Sequence, residues 1–126
     1  ITDNDIKNIF AYEVAISYGS WVQNMIQDAE PGLGGWKLGE EGNYPVHCQT
    51  LRDFMDAQQI EYADLVKMDI EGYEEKVFST PLFPHEKIGL IIGEIHDTNN
   101  IQDLLEWMGY RYISIPNSRH FIARKR

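Results

Sequence analysis

The sequence predicts an α/β fold. Three observations carry that reading: two largely apolar runs that each end in acids, a helix-period stretch set between asparagines and a glycine, and two closing runs that flank a Pro-Asn-Ser turn. With 126 residues the chain has room for one domain, spanning residues 1–126, and not comfortably for two.

Taken in order, residues 9–16 (IFAYEVAI) are rich in β-branched and aromatic types and read as a strand, with a break at Ser17, Tyr18, Gly19 and Ser20. A helix running on through Trp21 is the alternative. Residues 31–45 (PGLGGWKLGEEGNYP) hold five of the ten glycines. A phosphate cradle would need a spacing such as GxGxxG between a strand and a helix start. Gly32, Gly34 and Gly35, followed by Trp36 and Lys37, fail that test, so the stretch reads as a flexible surface or lid loop. Residues 46–49 can form a short strand. Thr50 then opens TLRDFMDAQ, with Asp53 placed as a capping-box partner and Leu51, Phe54 and Met55 as the apolar face.

Residues 63–70 (ADLVKMDI) have the pattern of a buried parallel strand, and residues 87–95 (KIGLIIGEI) are a second candidate. Between them, residues 74–78 start a helix that Pro81 and Pro84 must end. Asn99 or Asn100 caps a helix whose Ile101, Leu104, Leu105 and Met108 follow the i, i+3, i+4, i+7 rule, and Gly109 closes it. Residues 111–115 and 120–123 flank Pro116, Asn117 and Ser118 as a terminal hairpin.

Composition narrows the function. The charge sum is 11 − 20 = −9, which argues against a general nucleic-acid binder. Arg119, Arg124, Lys125 and Arg126 form a basic tail that reads as a solvated terminus. No apolar run approaches the roughly 20 residues that span a bilayer, and no signal-peptide pattern opens the chain. A single cysteine, Cys48, excludes an internal disulfide and a multi-cysteine zinc site, and reads as a small buried hydrophobe in a reducing, cytoplasmic setting. His47, His85 and His120 take surface or hairpin roles, Trp107 packs in the core or a loop, and Trp36 is the tryptophan best placed for a pocket.

Chemistry gathers at two strand ends. Asp69 and Glu71 close the first buried-strand candidate, and Glu94 and His96 close the second. Residues two apart on a strand share a face, strands joined by one right-handed crossover are usually neighbours, and ligands of open parallel sheets bind outside the carboxyl ends of the strands. Four groups of acid, base or metal-ligand type should therefore converge at one rim. The competing reading is of solvated strand ends whose acids cap the helices that follow.

The run DLVKMDIEGYEEKVF, residues 64–78, resembles the LKIDVEGAE signature of the FkbM-type, S-adenosylmethionine-dependent methyltransferases. TLRDF at residues 50–54 resembles that family's TLDDF helix start, IIGEIH at 91–96 its next strand, and the stretch from Leu104 through MGYRY to FIARK its closing helix and hairpin. VAIS at residues 14–17 is similar to its AVS strand end.

The resemblance implies a Rossmann-like class I methyltransferase sheet with an antiparallel C-terminal hairpin, and S-adenosylmethionine as cofactor. It implies Val14 and Ala15 near adenine, Asp69 on the methyl-donor side, and Glu71, Glu94 and His96 on the acceptor side. Glu71 or His96 would be the base for a hydroxyl of a small or saccharide-like substrate, while Asp69 and Glu94 orient the substrate and hold the imidazole tautomer. No dedicated metal site is assigned, although the same four groups could gather Mg²⁺ or Mn²⁺. The chain departs from the family pattern by starting around the third strand, without the glycine motif and the ribose-binding acid. The expectation is a sheet truncated at the N-terminus that binds the cofactor weakly or not at all and is inactive by itself. The alternatives are a non-catalytic remnant or binding module of the same fold, or a metal-dependent site on the acidic rim. Residues 63–70 would then expose a strand edge, to be covered by the N-terminal segment or by a second copy in a homodimer.

Overall fold

The computed structural model of the chain describes residues 7–27, 36–96 and 100–126. The N-terminal part forms one four-stranded sheet from β1 (Ala15–Ile16), β2 (Trp21–Gln27), β3 (Trp36–Leu38) and β4 (Tyr44–Gln49), in the order β1-β4-β2-β3. β1 runs parallel to β4, and β2 pairs antiparallel with both β4 and β3.

Two expectations are corrected here. Only Ala15 and Ile16 of the expected strand at residues 9–16 are paired, because only they meet a neighbour, Cys48 and Gln49 of β4. Phe10 is 75% exposed, so a β-rich composition alone does not make a strand where no partner lies alongside. The expected loop at residues 31–45 contains β3 and the start of β4, and residues 28–35 lie outside the described residues, as does the side chain of Trp36. Cys48 is buried, as its type suggests, and burial pushes its thiol above the ordinary value.

The rest of the chain builds the core. α1 (Leu51–Ala57) is capped by Thr50, whose hydroxyl accepts from the amide of Asp53 at 3.0 Å. β5 (Ala63–Met68) leads through a loop to α2 (Glu74–Ser79), then a 3₁₀ turn at His85–Lys87 and β6 (Ile88–Glu94). α3 (Ile101–Trp107) follows, and β7 (Tyr110–Ser114) with β8 (His120–Lys125) closes the chain as a hairpin. These strands form a second four-stranded sheet in the order β5-β6-β8-β7, with β5 parallel to β6 and β8 antiparallel to both of its neighbours. Among the described residues the architecture is thus mixed α/β, with two sheets and three α-helices.

The core lies between this second sheet and α2 and α3, where Val77, Phe78, Ile88, Ile91, Leu105, Tyr110 and Phe121 are all buried. α3 turns Ile101, Leu105 and Met108 inward. Trp107 is not a core residue: it is 83% exposed, because it sits about 200° round the helix from Leu105. β5 is also less buried than its apolar pattern suggests. It lies at the edge of its sheet, with Asp64, Leu65 and Lys67 exposed and Met68 alone buried. The described N-terminal segment does not cover that edge, since β1 pairs with β4 instead.

Candidate active site

The site is built at the end of β5, where the chain must turn sharply to start α2. Glu71 and Gly72 both adopt positive φ, 53° and 93°. Glycine takes that conformation freely, whereas for Glu71 it costs about 1–2 kcal/mol, which the surrounding contacts must offset. Those contacts centre on Glu74, which is 1% exposed. Its two carboxylate oxygens accept from the backbone amides of Ile70 and Gly72, each at 3.0 Å. The loop is therefore wrapped round the first side chain of the helix it leads into.

The same carboxylate reaches across to β6. Oε1 of Glu74 lies 3.2 Å from Nδ1 of His96. Because both oxygens of Glu74 act as acceptors, Nδ1 is the donor, and Nε2 of a neutral His96 carries the lone pair. That nitrogen lies 3.4 Å from Oε2 of Glu71 and 3.9 Å from Oδ1 of Asp69. One ligand atom each from Asp69, Glu94 and His96 falls within 4.8 Å of the others. Asp69, Glu71, Glu94 and His96 are thus brought to one rim, as the strand-end reasoning expects.

Two members of the cluster escape sequence reasoning. Glu74, rather than Asp69 or Glu94, holds the imidazole of His96. The signal for it was the spacing Glu71-x-x-Glu74, since an acid at a helix start can reach back to preceding amides. His120, assigned to the hairpin, does lie there, hydrogen-bonded through Nδ1 to the Ser118 hydroxyl. It is also the residue paired with Glu94 in the β6–β8 register, and its Nε2 lies 3.7 Å from Oε2 of Glu94. Only the hairpin register reveals that.

Two cavities adjoin the rim. One, of about 310 Å³, lies between the sheets and is lined by Val14, Ala15, Ile16, Met25 and Leu38 on one side and Asp69 and Ile70 on the other. The two residues expected near adenine and the acid expected near the methyl donor therefore line the same space. Tyr18, just beyond β1, stacks on Tyr73 with centroids 6.4 Å apart, and the Lys76 ammonium sits 4.6 Å from the Tyr73 ring. These contacts tie the first sheet to the turn that carries Glu71. The second cavity, of about 460 Å³, opens between α3 and the β7–β8 hairpin and includes His120.

Among known proteins, the model of one family, the methyltransferase FkbM domain, matches residues 18–112. No curated protein and no solved structure gives a significant match. No helix among the described residues is long and apolar enough to cross a membrane.

Proposed function

Because the chain belongs to the methyltransferase FkbM family, we propose that it serves methyl transfer from S-adenosylmethionine to a hydroxyl of a small or saccharide-like acceptor. The observation that carries this reading is the position of Asp69. Its side chain lines the cavity between the sheets, and its Oδ1 lies 3.9 Å from Nε2 of His96. Donor cavity and acceptor rim share one carboxylate.

The lining of that cavity fits the cofactor: apolar Val14, Ala15 and Ile16 offer surface for a heterocycle, and Asp69 offers a negative charge for a sulfonium. When bound, S-adenosylmethionine supplies an electrophilic methyl group on positively charged sulfur. The chain supplies the rest. An acceptor hydroxyl must lose its proton as it attacks, and Nε2 of His96 is the lone-pair nitrogen available to take it. Glu74 holds the opposite ring nitrogen as a donor, and Glu71, 3.4 Å from Nε2, stabilises the imidazolium that results. A positioned base of this kind contributes about 10²–10⁴-fold in rate. The strand order β5-β6-β8-β7, with its antiparallel β8, supports a Rossmann-like class I sheet as the frame for this chemistry.

The test is methyl transfer from labelled S-adenosylmethionine to a panel of alcohols and glycosides by the protein in its full natural length. Release of S-adenosylhomocysteine that depends on both acceptor and His96 is the expected result. Neither cofactor binding nor turnover with any acceptor would overturn the reading in favour of a non-catalytic domain. A second reading rests on the ligand atoms of Asp69, Glu94 and His96 lying within 4.8 Å of one another, a donor set suited to Mg²⁺ or Mn²⁺. Turnover that survives EDTA supports the first reading, and turnover lost to EDTA and restored by Mg²⁺ supports the second.

A further inference from the structure

We infer that the cavity between α3 and the β7–β8 hairpin is the acceptor subsite, and that it selects a neutral, polyhydroxylated ring. The inference deepens the methyl-transfer reading and rests on it for the word acceptor; the binding it describes stands on the cavity alone.

The first argument is position. Asp69 lines the cavity between the sheets, and its ligand atom lies within 4.8 Å of those of Glu94 and His96. Glu94 in turn lies 3.7 Å from His120, which lines the cavity by the hairpin. Ile95, the residue between Glu94 and His96, lines that cavity too. A chain of contacts therefore links donor cavity, rim and second cavity, and on this reading a molecule in the last presents a hydroxyl to the rim.

The second argument is the chemistry of the walls. Asn100, Ser118 and His120 each offer both hydrogen-bond donors and acceptors, which is what hydroxyl groups require. The flat side chain of Tyr112 offers apolar surface to the C–H face of a ring. Among the described residues of the wall the charges balance, with Arg119 against Asp103, and with His120 engaged by Glu94. A binding site for an anion would carry an excess of cationic groups. The volume, about 460 Å³, is within the usual ~300–1,000 Å³ of small-molecule sites.

The test uses methyl α-glucoside and myo-inositol as neutral probes and glucuronate as a charged one, titrated into the isotope-labelled protein and followed by amide chemical shifts. The neutral probes should move the signals of Asn100, Ser118 and His120, with Kd values of roughly 1–10 mM, typical of a few solvent-facing hydrogen bonds. Asn100→Gly removes the side-chain amide at a position whose positive φ glycine adopts freely, and should weaken that binding about fivefold or more, a loss of about one hydrogen bond, while leaving the affinity for S-adenosylmethionine unchanged. Shifts confined to other surfaces, or none up to saturating probe, would overturn the subsite. A preference for glucuronate would overturn its neutral selectivity. Because the probes are titrated without cofactor, a failure here is separable from a failure to bind S-adenosylmethionine or to transfer methyl.

Discussion

Glu74 and His96, on different elements and 22 residues apart in sequence, meet through a 3.2 Å contact between a buried carboxylate and an imidazole nitrogen. This contact joins the turn after β5 to the end of β6 and sets which ring nitrogen faces the rim. Glu74→Gln replaces one of two accepting oxygens with a donor, so one amide or the imidazole loses its partner. The expected cost is about 1–3 kcal/mol in denaturant unfolding, with a change in the His96 tautomer visible in its ring nitrogen shifts. Unchanged stability and an unchanged tautomer would mean that the contact neither anchors the turn nor orients the ring.

Within the rim, the roles of the acids separate by variant. His96→Ala should lower turnover by about 10²–10⁴-fold, as loss of a general base does, and Glu71→Gln should lower it less, because it removes only support for the imidazolium. Neither should change cofactor affinity much. Asp69→Asn should do the reverse and raise the Kd for S-adenosylmethionine, since among the described residues Asp69 is the one charged residue lining the cavity between the sheets. Calorimetric titration and a turnover assay on the same three variants decide the matter, and a uniform loss of both properties would reduce the cluster to a folding element.

Much of this site was legible in the sequence because strand ends are legible. Apolar runs closing on Asp69-x-Glu71 and Glu94-x-His96 announce two carboxyl ends, and topology makes them neighbours. Glu74 and His120 were not legible by the same route. One depends on a loop doubling back on its own helix and the other on the register of a hairpin. The fold divides likewise. The helix period of α3 and the turn before β8 are local signals, and both elements form where those signals lie. The exposure of β5 is set by what stands beside it, and the polar interior of β2 (WVQNMIQ) hides a strand that its pairing with β4 and β3 creates. Neither is encoded within the segment itself.

Alkaline pH should expose a second anchor. The Tyr110 hydroxyl is buried against the carbonyls of His85 and Ile88, each at 2.9 Å, and Lys125 donates to the same His85 carbonyl at 3.1 Å. Burial, reinforced by the charges of Tyr62 and Glu86, pushes the phenol well above its ordinary 10.0. A group raised in the folded state contributes stability that is fully present below the unfolded value and is lost as pH rises towards the folded one. Unfolding free energy should therefore decline from about pH 10 upward. Tyr110→Phe should remove Tyr110's share of that decline, at a cost of about 1–2 kcal/mol at neutral pH from the carbonyls left short of a donor. Parallel pH profiles for the two proteins would refute the assignment.

The open edge of β5 leads to a prediction about assembly. Among the described residues β5 hydrogen-bonds only to β6, and its other side carries exposed Asp64, Leu65 and Lys67. Such an edge is a template for another strand. If two copies pair antiparallel across that edge about a two-fold axis at Leu65, the two Leu65 side chains, each 52% exposed in the single chain, lie opposite one another. Burying that apolar pair favours the register, since apolar residues facing one another across strands contribute about 0.2–1 kcal/mol. We therefore expect a concentration-dependent dimer in sedimentation velocity. Leu65→Lys should weaken it by placing like charges opposite one another, whereas Leu65→Ile should leave it intact. A monomer at every concentration, or a dimer indifferent to Leu65→Lys, would show that this edge is not where copies meet.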